Sequence, residues 1–380
     1  MTENDDRAER ALREALSRQG DGFVPAETAV PTERSTRRWR SWGAVAAAFV
    51  LVAGTAIGIG LVTRDGGGLA GPDTGHAVSE LPLPDAGWRY ESYRDVVVQV
   101  PDSWGYGHEL TSAWCLGDDG TSVNQTPFVG ASNGYEVVPA IACGRRPGDV
   151  FGLGIEGPER LWVTNLSFGR PEDEEVPDGV HTQDGWTRIV STVGHARFTV
   201  LTDQAHLADA RRIVDSATVT ALDQNGCDVS SPIQDGVYPR PVHAFDLSTV
   251  GSVEAMAICQ YSPRTPVGEP GLIASRLLTG TDANAELGAL HVAKIGGGPD
   301  TPSTCLHSEP PDTAIVLRLN PGAESRDVYV YYDSCVHNGF DDGTQVFELT
   351  EDDCARLWGE RVVQWSGSSA PFELCHPDQS

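Results

Sequence analysis

Gly130-Ala131-Ser132-Asn133-Gly134 spells G-x-S-x-G, the pentapeptide in which a serine nucleophile is lifted onto a strained turn between a strand and a helix. The segment that follows, Tyr135–Cys143 (YEVVPAIAC), reads as a strand, and Asn133-Gly134 is itself a hairpin-turn pair. The pentapeptide is therefore read as a turn, with an anchored hydrolase built on Ser132 kept as an alternative. His195 and His206 have the chemistry of general bases, but neither comes with a spaced partner. No catalytic residue is assigned, and the chain is expected to be non-enzymatic.

Cysteine and histidine offer a second chemistry. Cys305-Leu306-His307 and Cys335-Val336-His337 are C-x-H units, and His376 sits beside Cys375. Zinc would take such thiolates and imidazoles, yet the C-x2-C spacing of structural zinc sites is absent. The cysteines are Cys115, Cys143, Cys227, Cys259, Cys305, Cys335, Cys354 and Cys375. An even number is what structural disulfides need. Locality suggests Cys115–Cys143, Cys227–Cys259, Cys305–Cys335 and Cys354–Cys375, each adding about 3 kcal/mol by restricting the unfolded chain. Calcium is considered at Glu172–Glu175 and at Asp341-Asp342 with Asp352-Asp353. Neither segment has the alternating ligands, glycine and glutamate of an EF-hand loop. Gly296–Gly298 precedes Pro299 and no G-K-[ST] occurs, so no phosphate-binding loop is read. No metal and no cofactor is assigned.

The elements that would carry these groups divide at an apolar stretch. Ser41–Thr63 holds no ionisable residue, long enough at about 1.5 Å per residue to cross a hydrocarbon core. Arg34, Arg37, Arg38 and Arg40 precede it and only Arg64 and Asp65 follow, which predicts a cytosolic N-terminus. Trp39 and Trp42 suit the interface. About 40 mostly polar residues come first and no A-x-A site follows Val62, so an uncleaved anchor is expected in place of a signal peptide. Residues 1–64 contain nine arginines and eight acids; beyond them lie 18 basic and 46 acidic residues. That excess disfavours nucleic acid, whose phosphates need clustered positive charge.

Residues 7–18 (RAERALREALSR) place Ala8, Ala11, Leu12, Ala15 and Leu16 on one helix face, a surface that could meet a cytosolic protein. Residues 64–84 read as a Gly/Pro linker. Strands are expected at Trp88–Tyr93, Val96–Val100, Arg160–Phe168, Thr187–Thr192 and Ala196–Thr202. Asp203 should cap a helix from Gln204 to Asp215 that buries Ala205, Ala208, Ile213 and Val214. Further strands are expected at Ser252–Tyr261, Leu272–Thr279, Ala314–Leu319 and Val328–Tyr332. Thr281 or Asp282 should cap a helix to Ala293 with Ala285, Leu287 and Leu290 inward, and Thr350-x-x-Asp353 resembles a capping box.

YESYRDVVVQVPDSW (90–104), with FTVLTDQAHLADARRIVDSATV (198–219), resembles PsbP-like α+β domains, which end a strand in V-P-x-x-W and close with a helix leading into a final strand. The resemblance implies an α+β fold that hosts binding and assembly roles. MAICQYSP (256–263) and YYDSCVHNGFDDGTQVFELTEDD (331–353) resemble single-pass membrane or secreted proteins of unknown function from high-GC Gram-positive bacteria. Membrane-bound anti-sigma factors share the layout, but their H-x3-C-x2-C motif is missing, since no cysteine precedes Cys115. The expected architecture is α+β: a cytosolic segment (1–40), one transmembrane helix (41–63), a linker (64–84), and two disulfide-containing extracytoplasmic domains (85–222 and 226–380). The expected role is binding or sensing an envelope ligand or protein, with an anti-sigma-like regulator as an alternative.

Overall fold

The computed structural model describes residues 81–107, 126–130, 162–171, 176–233, 238–301, 311, 313–322, 325–364 and 369–376. Residues 1–40, the apolar stretch 41–63, the strand expected at Tyr135–Cys143, Ser132, Glu172–Glu175, His307, Cys115, Cys143 and Cys305 lie outside these residues. No described helix is long and apolar enough to cross a membrane.

Trp88–Tyr93 (β1) and Val96–Pro101 (β2) pair antiparallel about Arg94-Asp95. The β-branched run Val96–Val98 suits a pleated surface, and its side chains are buried. Gly105–Gly107 (β3), Phe128–Gly130 (β4), Asn165–Gly169 (β5), Gly179–Gln183 (β6), Trp186–Val193 (β7) and Ala196–Thr202 (β8) form a second sheet. Its order is β3-β4-β5-β8-β7-β6, with β3, β4 and β5 parallel and the other pairs antiparallel. Leu207–Asp215 (α1) packs on β2, β7 and β8, and Thr218–Val219 (β9) then joins β2.

The C-terminal half builds an antiparallel sheet from Ala255–Tyr261 (β10), Leu272–Thr279 (β11), Ala314–Leu319 (β12), Arg326–Tyr331 (β13), Gly339–Asp341 (β14) and Val346–Phe347 (β15), in the order β11-β10-β12-β13-β14-β15. Gly280–Val292 (α2) packs against β10 and β11, Glu351–Leu357 (α3) against α2, and Ala370–Cys375 (α4) against α3. Sheets with a few helices laid against them make an α+β fold. Residues 70–380 form one compact unit. Val98, Leu166 and Phe198 belong to the same packed cluster as Ile258, Leu317 and Leu357, so both sides of the 222–226 connection feed one core.

Two helix faces differ from expectation. α1 starts at Leu207 because Asp203 is spent on the turn before it, accepting from the backbone N–H of His206 at 3.0 Å. Ala205 and Ala208 are consequently exposed, while Ala210 and Ile213 point inward. In α2, Thr279 precedes the first turn, and Ala283, Glu286, Leu287 and Leu290 are buried while Ala285 is exposed. A buried glutamate replaces the expected alanine because Arg356 of α3 reaches it, with Nε 2.6 Å from Glu286 Oε2. The capping box at Thr350 and Asp353 is formed reciprocally.

Cys227 is bonded to Cys259 and Cys354 to Cys375, with Cα separations of 5.6 and 5.4 Å. Cys335 is also disulfide-bonded. The first bridge pins the segment after Asp223 to β10, and the second ties α3 to α4.

Candidate functional site

Three connections meet at one end of the sheets: the β1–β2 turn, the β7–β8 turn and the long β10–β11 connection. Arg94 takes a left-handed backbone conformation (φ 53°), and its N–H donates to Leu272 O at 2.7 Å, locking the first turn to the start of β11. Its guanidinium then spans the junction. Nε donates to Pro270 O at 3.0 Å, Nη1 to His195 O at 3.1 Å, and Nη2 to Glu269 Oε2 at 3.2 Å.

The β10–β11 connection, Ser262–Gly271, is shaped by Pro263, Pro266 and Pro270 and closed by a Ser262 N–H bond to Gly271 O at 3.0 Å. Between this loop, Arg94 and the end of β5 lies a cavity of about 160 Å³. Tyr93, Leu272 and Ile273 supply apolar wall, and Arg94, Arg170, Arg264, Glu269 and Ser262 supply polar groups. Ser262 is 6% exposed, and its hydroxyl has no hydrogen-bond partner among the described residues. Leaving a buried hydroxyl unmatched costs roughly 1–3 kcal/mol, so the site favours whatever can engage it.

Behind the cavity, Tyr93 stacks on Phe168 with centroids 5.6 Å apart, and the Arg361 guanidinium lies 4.4 Å from the Phe168 ring centre. Arg361 donates to the carbonyls of Ser92, Gly130 (3.2 Å) and Ile273 (3.3 Å), tying β1, β4 and β11 together. Burial lowers the pKa of this guanidinium, while the nearby Glu91 carboxylate opposes the shift.

Beside the cavity, His195 Nδ1 lies 2.8 Å from Asp95 Oδ2, and the His195 backbone N–H donates to Asp95 Oδ1 at 2.8 Å. Sequence spacing showed no partner for His195 because Asp95 lies a hundred residues earlier. His206 likewise pairs with Asp203 at 2.7 Å. Burial tends to raise the Asp203 pKa, but the hydrogen bonds to His206 outweigh it and leave the carboxyl below its ordinary value. Among the described residues no hydroxyl or thiol is hydrogen-bonded to His195, so the pair fastens two turns. Gly194 allows this closeness, because a Cβ there would lie 2.7 Å from Asp95 Oδ2 and the backbone is left-handed (φ 53°). Gly194→Ala is expected to lower stability by about 2 kcal/mol, read as a lower denaturant midpoint at unchanged m-value. An unshifted midpoint would show that Asp95 yields freely.

The other sequence candidates are engaged elsewhere. Asp341 accepts both ends of a bidentate Arg240 fork at 2.7 Å, and Asp342 closes the turn at Thr344 and Gln345 while accepting from Leu247 N–H. Those bonds to Asp342 outweigh its burial and hold its pKa below the usual carboxylate range. Cys335 and Cys375 are oxidised, His337 lies against Tyr238 at 4.7 Å, and His376 stacks on Phe372 at 4.3 Å. Gly130 ends β4 and offers its carbonyl to Arg361.

Sequence reasoning missed Arg94, Arg170, Arg264, Ser262 and Arg361. A usable signal was the scarcity of cations in so acidic a chain, since any gathering of arginines then stands out. No protein family, curated protein or solved structure matches the chain.

Proposed function

We propose that the chain is a membrane-anchored, extracytoplasmic binding protein that holds a small envelope ligand in the cavity between Arg94, Arg170 and the Ser262–Gly271 loop, without covalent chemistry. The observation that carries this reading is the cavity itself, a concave site lined mainly by polar groups, with Tyr93, Leu272 and Ile273 as its apolar part. Its volume is close to that of an engineered cavity that holds benzene, about 150 Å³. It therefore suits about six heavy atoms, or the end group of something larger.

Placement outside the cytosol is supported by the arginine-flanked apolar stretch and by the disulfides, which persist on the oxidising side of a membrane. The likeness of residues 90–104 and 198–219 to PsbP-like domains adds a fold in which binding roles are common.

Hydrogen exchange on the detergent-solubilised full chain tests the reading, using the low-molecular-mass fraction of a cell-envelope extract as the probe. Slower exchange confined to residues 93–95 and 262–273 is expected. Unchanged exchange in both segments, with extract in excess, would dismiss the cavity as a binding site.

A further inference from the structure

We infer that the cavity takes a small neutral polyol, free or as the end group of a larger envelope glycan, recognised by the Ser262 and Thr265 hydroxyls beside Arg94. This deepens the binding role proposed above and rests on it. The charged groups of the wall are already committed. Arg94 and Glu269 form an ion pair at 3.2 Å, and Arg170 and Arg264 are each engaged by other groups of the chain. An anion would have to draw these arginines from existing partners. A cation would meet guanidiniums and a carboxylate that is already paired.

What the wall leaves unmatched is neutral. Ser262 is 6% exposed, and its hydroxyl has no partner among the described residues. Thr265 is joined to it by a turn, its backbone N–H donating to Ser262 O at 3.2 Å, and the Thr265 hydroxyl likewise has no partner among the described residues. Arg94 gives three of its five guanidinium N–H groups to Pro270, His195 and Glu269, which leaves two donors on a cation whose charge Glu269 already meets. A hydroxyl both donates and accepts, so a ligand with several of them can engage two side-chain hydroxyls and a guanidinium at once. Its carbon skeleton then lies against Tyr93, Leu272 and Ile273. A wholly apolar ligand would leave the Ser262 hydroxyl unmatched. A chain of about six heavy atoms, the size of glycerol, matches the volume of about 160 Å³.

Saturation-transfer NMR on the full chain, held in an amine-oxide detergent that carries no hydroxyls, tests the assignment. The probes are glycerol, propan-1-ol, acetate and the neutral polysaccharide fraction of a cell-envelope extract. Glycerol is expected to bind with a Kd of roughly 1–10 mM, at least about threefold more tightly than propan-1-ol or acetate. Ser262→Ala is expected to weaken glycerol roughly tenfold and Thr265→Val roughly threefold. Ligand-free melting should be unchanged or higher for Ser262→Ala, because the group removed is an unmatched hydroxyl. Loss of the glycerol signal on adding polysaccharide would mark an end group as the source, and a signal left intact would mark a free polyol; both support the assignment. Acetate or propan-1-ol binding as tightly as glycerol, or glycerol binding indifferent to both substitutions, overturns it. If glycerol fails to bind while the low-molecular-mass envelope fraction still protects residues 262–273 from exchange, the polyol class falls and the binding role survives. If that protection is missing too, both fall.

Discussion

Replacing Arg361 with alanine is expected to lower the unfolding free energy by about 4 kcal/mol. Arg361 is 2% exposed, and among the described residues its guanidinium is met by carbonyls, with no directly bonded carboxylate. Hydrogen bonds from a charged donor contribute about 1.5–3 kcal/mol each, and desolvating the cation offsets part of that sum. Alanine would strip three carbonyls of a shared donor and leave a void against Phe168, where the ring now receives the cation. Arg361→Lys keeps the charge but cannot present a planar fork to three strands, so about half of the loss is expected to remain. Urea titration of the full chain in detergent, followed by tryptophan fluorescence, provides the measurement. A loss below about 1 kcal/mol for alanine would mean that burying the cation costs nearly as much as its bonds return.

A second large effect should appear with pH. Glu286 is wholly buried in α2, and burial, reinforced by the neighbouring Asp353 carboxylate, pushes its pKa up to about 7 even though Arg356 opposes the shift. In the unfolded chain the same group titrates near 4.5. Because the folded protein binds this proton more tightly, the associated stability is complete below about pH 4.5 and is lost as pH rises towards 7. A shift of that size corresponds to about 3 kcal/mol. Asp353 is shifted in the same direction, chiefly by burial, and adds to the trend.

Self-repulsion in a chain of net charge −27 also eases on acidification, so the wild-type slope alone does not identify the group. Glu286→Gln does. Near pH 6 the variant should lose up to about 1.4 kcal/mol per pH unit of the wild-type slope, the value for one proton. Parallel stability curves for the two proteins between pH 5 and 8 would assign the dependence to the surface charge instead.

Much of the strand framework was legible in advance, and the reasons are local. Ala196–Thr202, Leu272–Thr279 and Ala314–Leu319 emerge with the bounds expected, because each is a run of β-branched and apolar residues bordered by turn or capping residues. β3, β4, β14 and β15 are two or three residues long. No periodicity can be read in so few positions, and their pairing comes from neighbours already in place. The face of α1 was misjudged because the Asp203 side chain satisfies the turn before the helix, which delays its start and turns Ala205 and Ala208 to solvent.

The cavity had no comparable local signal. Tyr93 and Arg94, Arg170, and Ser262–Ile273 are far apart in the chain, and each segment alone reads as an ordinary turn. Local pattern was enough for the α+β class and the candidate strands, since backbone pleat and side-chain branching act over a few residues. Which carboxylate His195 meets, where Arg361 is buried and which arginines share a cavity with Ser262 were settled only by folding. Those contacts depend on how sheets and turns pack across a hundred residues or more, and no spacing in the chain encodes such distances.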